Sequence, residues 1–331
     1  MKKILLSLII LSSVIAYSQP KFSSIGSMPG AFSRMGFGAR GMGMGNAMSS
    51  ITDGNMVSYY NPALAFFQND NSFQASYSIL SLDRSLNFIS YTRKFSRTPG
   101  LGRKNDGYVP GAGISVGIIN SGVSKIDGRD NSGNKTGDLS TSENQFFVAF
   151  AKSFSSKLTF GLAVKFYYYR LYDQISATSV GLDLGAIYKL NDNLNLSLMI
   201  SDINSKYKWD TTPIYQDQGS TTTDNFPVLK KIGISYKNPE YKFIVAVEYE
   251  NSNGQTNIIR AGVEYNIYEG LFLRGGIDQY NLSNSDYPAN PSLGFSYSKK
   301  IGDLNVGVDY AFVVEPYSPQ DRHIVGLNFN F

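Results

Sequence analysis

The chain has 331 residues, 17% of them charged, and a formal net charge of +4 that includes two lysines at its extreme start. With no cysteine and one histidine, a disulfide framework, acylation at a cysteine and a Cys/His zinc site are excluded. No basic stripe is present, which argues against nucleic acid as a partner.

The first predicted element is an export signal. Lys2 and Lys3 precede a mostly apolar stretch, Ile4 to Ile15, and Ala16-Tyr17-Ser18 offers small residues where a signal peptidase reads. A stretch of about a dozen residues is too short to span a bilayer comfortably. Residues 1–18 are therefore predicted to be a cleaved signal peptide. No later run reaches the roughly 20 apolar residues of a transmembrane helix. An exported chain of this kind is periplasmic, secreted, or an outer-membrane barrel.

Residues 22–67 show no alternation. They hold the run from Gly36 to Ala47, rich in glycine, and then Tyr59-Tyr60-Asn61-Pro62-Ala63-Leu64-Ala65. A phosphate-binding glycine loop needs a strand before it and a helix after it, and neither is evident. The better expectation is a compact plug, in which glycine permits tight turns and close packing against a wall. The predicted division is a hatch over 19–70 and a barrel over 71–331. A plug placed before the first strand can enter the barrel from the periplasmic side.

From residue 72 the chain has a period of two. Phe243, Val245, Val247 and Tyr249 share one face, and Ile244, Ala246, Glu248 and Glu250 the other. Leu182, Leu184, Ala186 and Tyr188 stand opposite Asp183, Gly185, Ile187 and Lys189. Such alternation predicts strands with two different faces. The segments often run about 9–11 residues, the length a tilted strand needs to cross a bilayer, against about 5–6 for soluble strands. One face is large and apolar and the other small and polar, the reverse of a soluble barrel. The 23 Tyr, 21 Phe and 32 Gly suit the same architecture. The fold class is therefore all-β: a transmembrane antiparallel barrel of about 14 strands with an N-terminal hatch inside it.

The strands are predicted near 72–79, 86–95, 111–120, 144–153, 158–169, 179–190, 194–202, 228–238, 241–251, 257–268, 271–281, 290–301, 304–314 and 322–331. Tight turns such as Asn191-Asp192-Asn193 and Gly302-Asp303 follow even-numbered strands, and the long polar connections 121–143 and 203–227 follow odd-numbered ones. Short turns face the periplasm in such barrels, so both chain ends are expected there. The connection 96–110 is long for a periplasmic turn. The terminal strand ends on Phe331 and resembles the signal read by the barrel assembly machinery.

Inward positions carry both signs of charge: Lys165, Asp183, Lys189, Glu248, Glu250, Arg260, Glu264, Arg274, Asp278 and Asp309. Such a set forms either a ladder of ion pairs between strands and plug or a polar lumen that meets a substrate or the plug's Arg34 and Arg40. An ion-selective channel would show an excess of one sign. His323, at the start of the last strand, is expected at the outer rim. A lone rim histidine does not make a hydrolase, so no catalytic residue, cofactor site or metal site is assigned.

The segment from Gly36 to Phe67 resembles the N-terminal hatch of the PorV/PorQ family, a branch of the FadL-like barrels. The matching residues are Ala39, Arg40, Gly43, Met44 and Gly45, then Asp53, then Asn61, Pro62 and Ala63. The resemblance covers about 45 residues, and beyond them the agreement is in topology and length. FadL-like barrels have fourteen strands and pass hydrophobic molecules through a hatch and a lateral opening. PorV-like members act with the type IX secretion system and receive secreted proteins bearing C-terminal signal domains. Three expectations follow: a secretion accessory with translocon subunits and such proteins as partners, a channel for a hydrophobic small molecule, or a structural or adhesion barrel acting through its loops. All three place the protein in outer-membrane lipid. Asn61-Pro62-Ala63 either anchors the hatch or takes part in passage, and Tyr59, Tyr60, Phe66 and Phe67 either line a ligand pocket or pack against the wall.

Overall fold

A computed structural model describes residues 23–96 and 111–331. The predicted signal peptide, and the connection 96–110 beyond Ser96, lie outside the described residues. The strands are β1 (Ser72–Ile79), β2 (Arg84–Ser96), β3 (Gly111–Arg129), β4 (Lys135–Ser153), β5 (Leu158–Tyr172), β6 (Ile175–Lys189), β7 (Leu194–Ile203), β8 (Lys206–Asp210), β9 (Thr221–Asn225), β10 (Leu229–Asn238), β11 (Phe243–Ser252), β12 (Asn257–Tyr268), β13 (Leu271–Asn281), β14 (Asn290–Ile301), β15 (Leu304–Val313) and β16 (Arg322–Asn330). Fourteen of them close an antiparallel barrel, and β8 and β9 form a separate hairpin. The seam is β1 against β16, with Ser72 opposite Asn330 and Ile79 opposite His323.

Alternation places the side chains as the period of two dictates. On β6, Val180 is 53% exposed on the outside while Asp183 is 1% exposed on the inside. The outer belt carries Leu162, Val164, Phe166, Leu184, Val247 and Leu327. Such a large apolar outer surface has no place in water and fits hydrocarbon. His323 faces outward at the start of β16, bonded through Nδ1 to the Tyr310 hydroxyl (2.7 Å).

Three expectations need correction. The connection 121–143 is mostly not a loop: β3 runs on to Arg129 and β4 begins at Lys135, still paired with each other. This ribbon rises past its neighbours, since β2 pairs with β3 only as far as Val123. Solvated on both faces, it needs no apolar side, so its sequence carries no alternation. Asp130 caps its tip, and hydrogen bonds from Asn134 and Ser132 hold the carboxyl below its ordinary value. Second, the connection 203–227 contains the β8–β9 hairpin. Third, the glycine run does contain a helix, α1 (Gly38–Gly43), though no strand precedes it among the described residues.

The N-terminal segment spans the depth of the lumen. Ser23 Oγ donates to the Gly254 carbonyl (2.9 Å) in the β11–β12 turn, at the end with the long connections. Asp53 pairs with Lys237 at the opposite end of the barrel. Asn71 then bonds Phe331 beside the seam.

Candidate functional site: the occupied lumen

One side of the plug is held by charge. Arg40, on α1, donates from Nε and Nη2 to the two oxygens of Glu264 on β12 (2.9 and 2.8 Å). Glu264 also accepts from Arg274 Nε on β13 (2.6 Å), and Arg274 Nη1 faces Asp309 on β15 at 3.6 Å. Beyond α1, Asn46 donates to Asp278 (2.7 Å), and Asp278 accepts from Arg260 (2.7 Å). Arg260 continues to Glu250 (3.0 Å) and Glu248 (3.4 Å), which also face Lys231. A buried charge is costly unless paired and hydrogen-bonded, so the network is set by which residues face each other across the strands and plug. Gly43 and Gly45 let the chain lie against the wall. Gly45 has φ +57°, and a Cβ there would sit 2.6 Å from the Ile277 backbone.

The other side is held by close approach. Pro62 opens a 3₁₀ turn, Pro62–Phe67, and Asn61 Oδ1 accepts from the Ala63 amide (3.0 Å). Asn61 Nδ2 lies 3.3 Å from each of the carbonyls of Ser49, Ala186 and Leu198, the last two in the wall. Glycine occupies the facing wall positions: a Cβ on Gly161 or Gly185 would overlap Asn61, Pro62 or Ala63. On the outer surface of the same wall is a groove of about 470 Å³, lined by Phe160, Leu162, Leu184, Ala186, Leu198 and Ile200 among others. Its lining is almost wholly apolar.

Toward the long-connection end, the β8–β9 hairpin closes over the plug through aromatic rings. Phe32 meets Tyr167 (centroids 6.4 Å), Tyr167 meets Phe226 (4.7 Å), Phe226 meets Tyr207 (4.9 Å) and Tyr207 meets Trp209 (5.4 Å). Lys165 pairs with Asp183 (2.7 Å) and Asp202 (3.2 Å), and Tyr167 donates to Asp202. Arg34 donates to the Pro29 carbonyl (2.6 Å) and pairs with no carboxylate among the described residues. Both amide atoms of the buried Gln145 and the Tyr207 hydroxyl have no hydrogen-bond partner among the described residues.

The predicted residues thus fall into place by position. Arg40, Glu264, Arg274 and Asp309 form one chain of contacts, while Glu248, Glu250, Arg260 and Asp278 form a second. Lys165 and Asp183 belong to a third, and Asp53 reaches Lys237. Lys189 stands apart, over the Phe67 ring at 4.9 Å, as Lys94 stands over Phe66 at 4.7 Å. Tyr60 is packed and bonded, donating to Asn46 Oδ1 (2.6 Å) and accepting from the Phe37 amide (2.9 Å). Tyr59 donates to the Ser33 carbonyl (2.7 Å). Sequence reasoning missed Asn46, Lys231, Asp202 and Gln145. Lys231 alternates inward on β10, so period two reaches it.

No protein-family model matches the chain, and no curated protein does. Solved structures do match. The Pseudomonas putida toluene transporter TodX superposes with a TM-score of 0.57 at 16% identity, over 89% of this chain and 96% of that one. The Ralstonia pickettii toluene transporter TbuX gives 0.56 at 14% identity, over 89% and 97%. A Pseudomonas aeruginosa FadL homologue gives 0.52 at 12% identity, over 89% and 98%. The chain shares the fold of these FadL-type barrels. Its likeness to PorV/PorQ rests on the hatch motif alone.

Proposed function

We propose that this protein is an outer-membrane channel that admits a hydrophobic small molecule. The observation that carries this reading is the wall at Gly161 and Gly185, with Asn61-Pro62-Ala63 seated on its inner surface and an apolar groove on its outer surface. The lumen is filled by its own chain and its charges are largely paired, which suits neither an open aqueous pore nor ion selection. The aromatic rings from Trp209 down to Phe32 pack on one another between mouth and plug, and an apolar compound would pass by parting them. Movement of Asn61-Pro62-Ala63 off the two glycines would join that path to the lipid-facing groove. The solved channels of this fold named for toluene support the same class of permeant.

The test is uptake of labelled toluene into lipid vesicles holding the purified protein. Entry faster than in empty vesicles, and faster still in Gly185→Val, whose side chain pushes Asn61 off the wall, is expected. Equal entry with and without protein would overturn the proposal.

A protein-partner role, as the secretion accessory that the hatch motif implies or as an adhesion barrel, has one observation in its favour. The β3–β4 ribbon stands beyond its neighbours with unpaired outer edges, and such edges accept strands from other chains. Pull-down from gently solubilised membranes, with and without residues 125–138, tests it. Recovery of translocon subunits or secreted proteins only with the intact ribbon would support that role.

A further inference from the structure

A cavity of about 310 Å³ opens at the short-turn end, between the hatch and the inner ends of β2 and β6. Its lining is mainly polar, unlike the outer groove, and nothing in the transport proposal uses it. Phe66 and Phe67, which end the hatch turn, lie in it with ring centroids 5.2 Å apart.

Two lysines enter this cavity from the wall. Lys94, near the end of β2, and Lys189, the last residue of β6, both alternate inward, since Phe95 and Tyr188 beside them are exposed on the outside. Lys94 Nζ stands 4.7 Å from the centroid of Phe66, and Lys189 Nζ 4.9 Å from that of Phe67. Neither ammonium pairs with a carboxylate among the described residues. The other charged residues of the lining are Asp53 and Asp192. Asp53 is paired with Lys237. Asp192, exposed in the β6–β7 turn, has no cation beside it among the described residues. Two cations against one unpaired carboxylate leave the cavity with an excess of positive charge.

Hydrogen-bond donors dominate as well. A lysine offers three donors and no acceptor. Ser155 Oγ accepts from the amides of Lys157 (3.3 Å) and Leu158 (3.0 Å), which leaves its own hydrogen to give, and Ser156 adds a second hydroxyl. The two rings are engaged by ammoniums, and little apolar lining remains for a hydrocarbon body. The occupant that fits is a compact oxyanion with one hydrogen to give to Asp192. Phosphate has that hydrogen on a P–O–H group, and its remaining oxygens accept charge-assisted bonds from lysine. Sulfate has no such hydrogen. We infer that the cavity is a binding site for a phosphate group, as inorganic phosphate or on a small polar carrier, built jointly by the hatch turn and the wall. The flexible stems of Lys94 and Lys189 let both ammoniums close on one group.

The test uses the full barrel with its hatch, in an uncharged detergent without phosphate. Titration calorimetry is run at about pH 6, where phosphate and its monoesters keep a P–O–H group. The probes are inorganic phosphate, glycerol phosphate, sulfate, and phosphatidate mixed into the micelle. The expected result is saturable binding of inorganic phosphate or glycerol phosphate, tighter than that of sulfate and weakened about tenfold in Lys94→Gln and in Lys189→Gln. Tighter binding of the first probe would identify the free ion as the ligand, and of the second a polar carrier. Lys157→Ala, on the neighbouring turn but outside the lining, is expected to bind like the parent, and Asp192→Asn to lose the preference for phosphate over sulfate. Heat-modifiable gel mobility confirms that each variant is folded, and Lys94→Met or Lys189→Met serves where a glutamine variant is not. Absence of saturable binding by either soluble phosphate, equal binding by folded lysine variants, sulfate binding as tightly as phosphate to the parent, or binding of phosphatidate alone would each overturn the inference.

Discussion

Arg40 and Glu264 lie 224 residues apart in sequence and meet through two hydrogen bonds of 2.9 and 2.8 Å. The pair ties helix α1 to the wall, and Arg274 shares the same carboxylate. Removing one member of a buried pair costs about 3–5 kcal/mol when it leaves a charge uncompensated. Arg40→Ala leaves Glu264 still paired with Arg274, so its cost is expected toward the lower end. Glu264→Gln strips the carboxylate from two arginines and should cost more. The unfolding midpoints of the two variants in detergent check the order, and bilayer conductance should rise in both as the plug loosens.

Gly185→Val places a branched side chain where Asn61 now sits. Overpacking costs about 1–3 kcal/mol. The expected outcome is a displaced hatch, read as faster protease cleavage between residues 53 and 67 with the barrel itself intact.

Asn61→Ala removes a cap worth about 1 kcal/mol and leaves the carbonyls of Ser49, Ala186 and Leu198 without its amide. Asn61→Asp keeps the acceptor for the Ala63 amide but sets a buried carboxylate oxygen against those three carbonyls. Thermal midpoints should fall in both, and further in the aspartate variant.

Trp209 is the only tryptophan, and it packs on Tyr207 and Tyr169 (5.4 and 5.3 Å). Its emission therefore reports how the β8–β9 hairpin is seated. Tyr207→Ala should shift the emission to the red as the ring gains water. Unchanged emission would place Trp209 away from this cluster.

Val164→Arg puts a charge on the outer face of β5, near the middle of the apolar belt. A depth-dependent cost of about 2–4 kcal/mol is expected in lipid vesicles, seen as a smaller folded fraction by heat-modifiable mobility. Insertion with no loss would argue that this face does not meet hydrocarbon.

Much of this molecule was legible from local chemistry. Alternation through Leu182, Leu184 and Tyr188 gave β6 its two faces, and each of the fourteen barrel strands overlaps a segment that period two marked, with β3 and β4 running on beyond theirs. Asp202 shows where that rule stops. Counting in twos from Leu198 and Ile200 would send it outward. A pairing irregularity between β6 and β7 shifts the count, and Asp202 is buried against Lys165 and Tyr167. Tyr207 belongs to a five-residue strand inside a polar connection, too short for a periodic signal. Asn46 and Gln145 are ordinary polar residues in sequence, and only their neighbours across the lumen distinguish them. The hatch motif singled out Arg40 and Asn61, but motif alone could not tell that one is held by charge and the other by the absence of side chains facing it.

The path of residues 23–70 has a consequence for biogenesis. A segment bonded to the β11–β12 turn at one mouth and joined to β1 at the other runs through the ring like a cord. If the ring closed first, the leading end would have to be drawn through it, past Arg260, Arg274 and the aromatic rings. If the strands instead curl around the cord and zip β1 to β16 last, no threading is needed. The charged contacts made by Arg40 and Asn46 would then serve as a template, gathering β12 and β13 before the final seam is sewn.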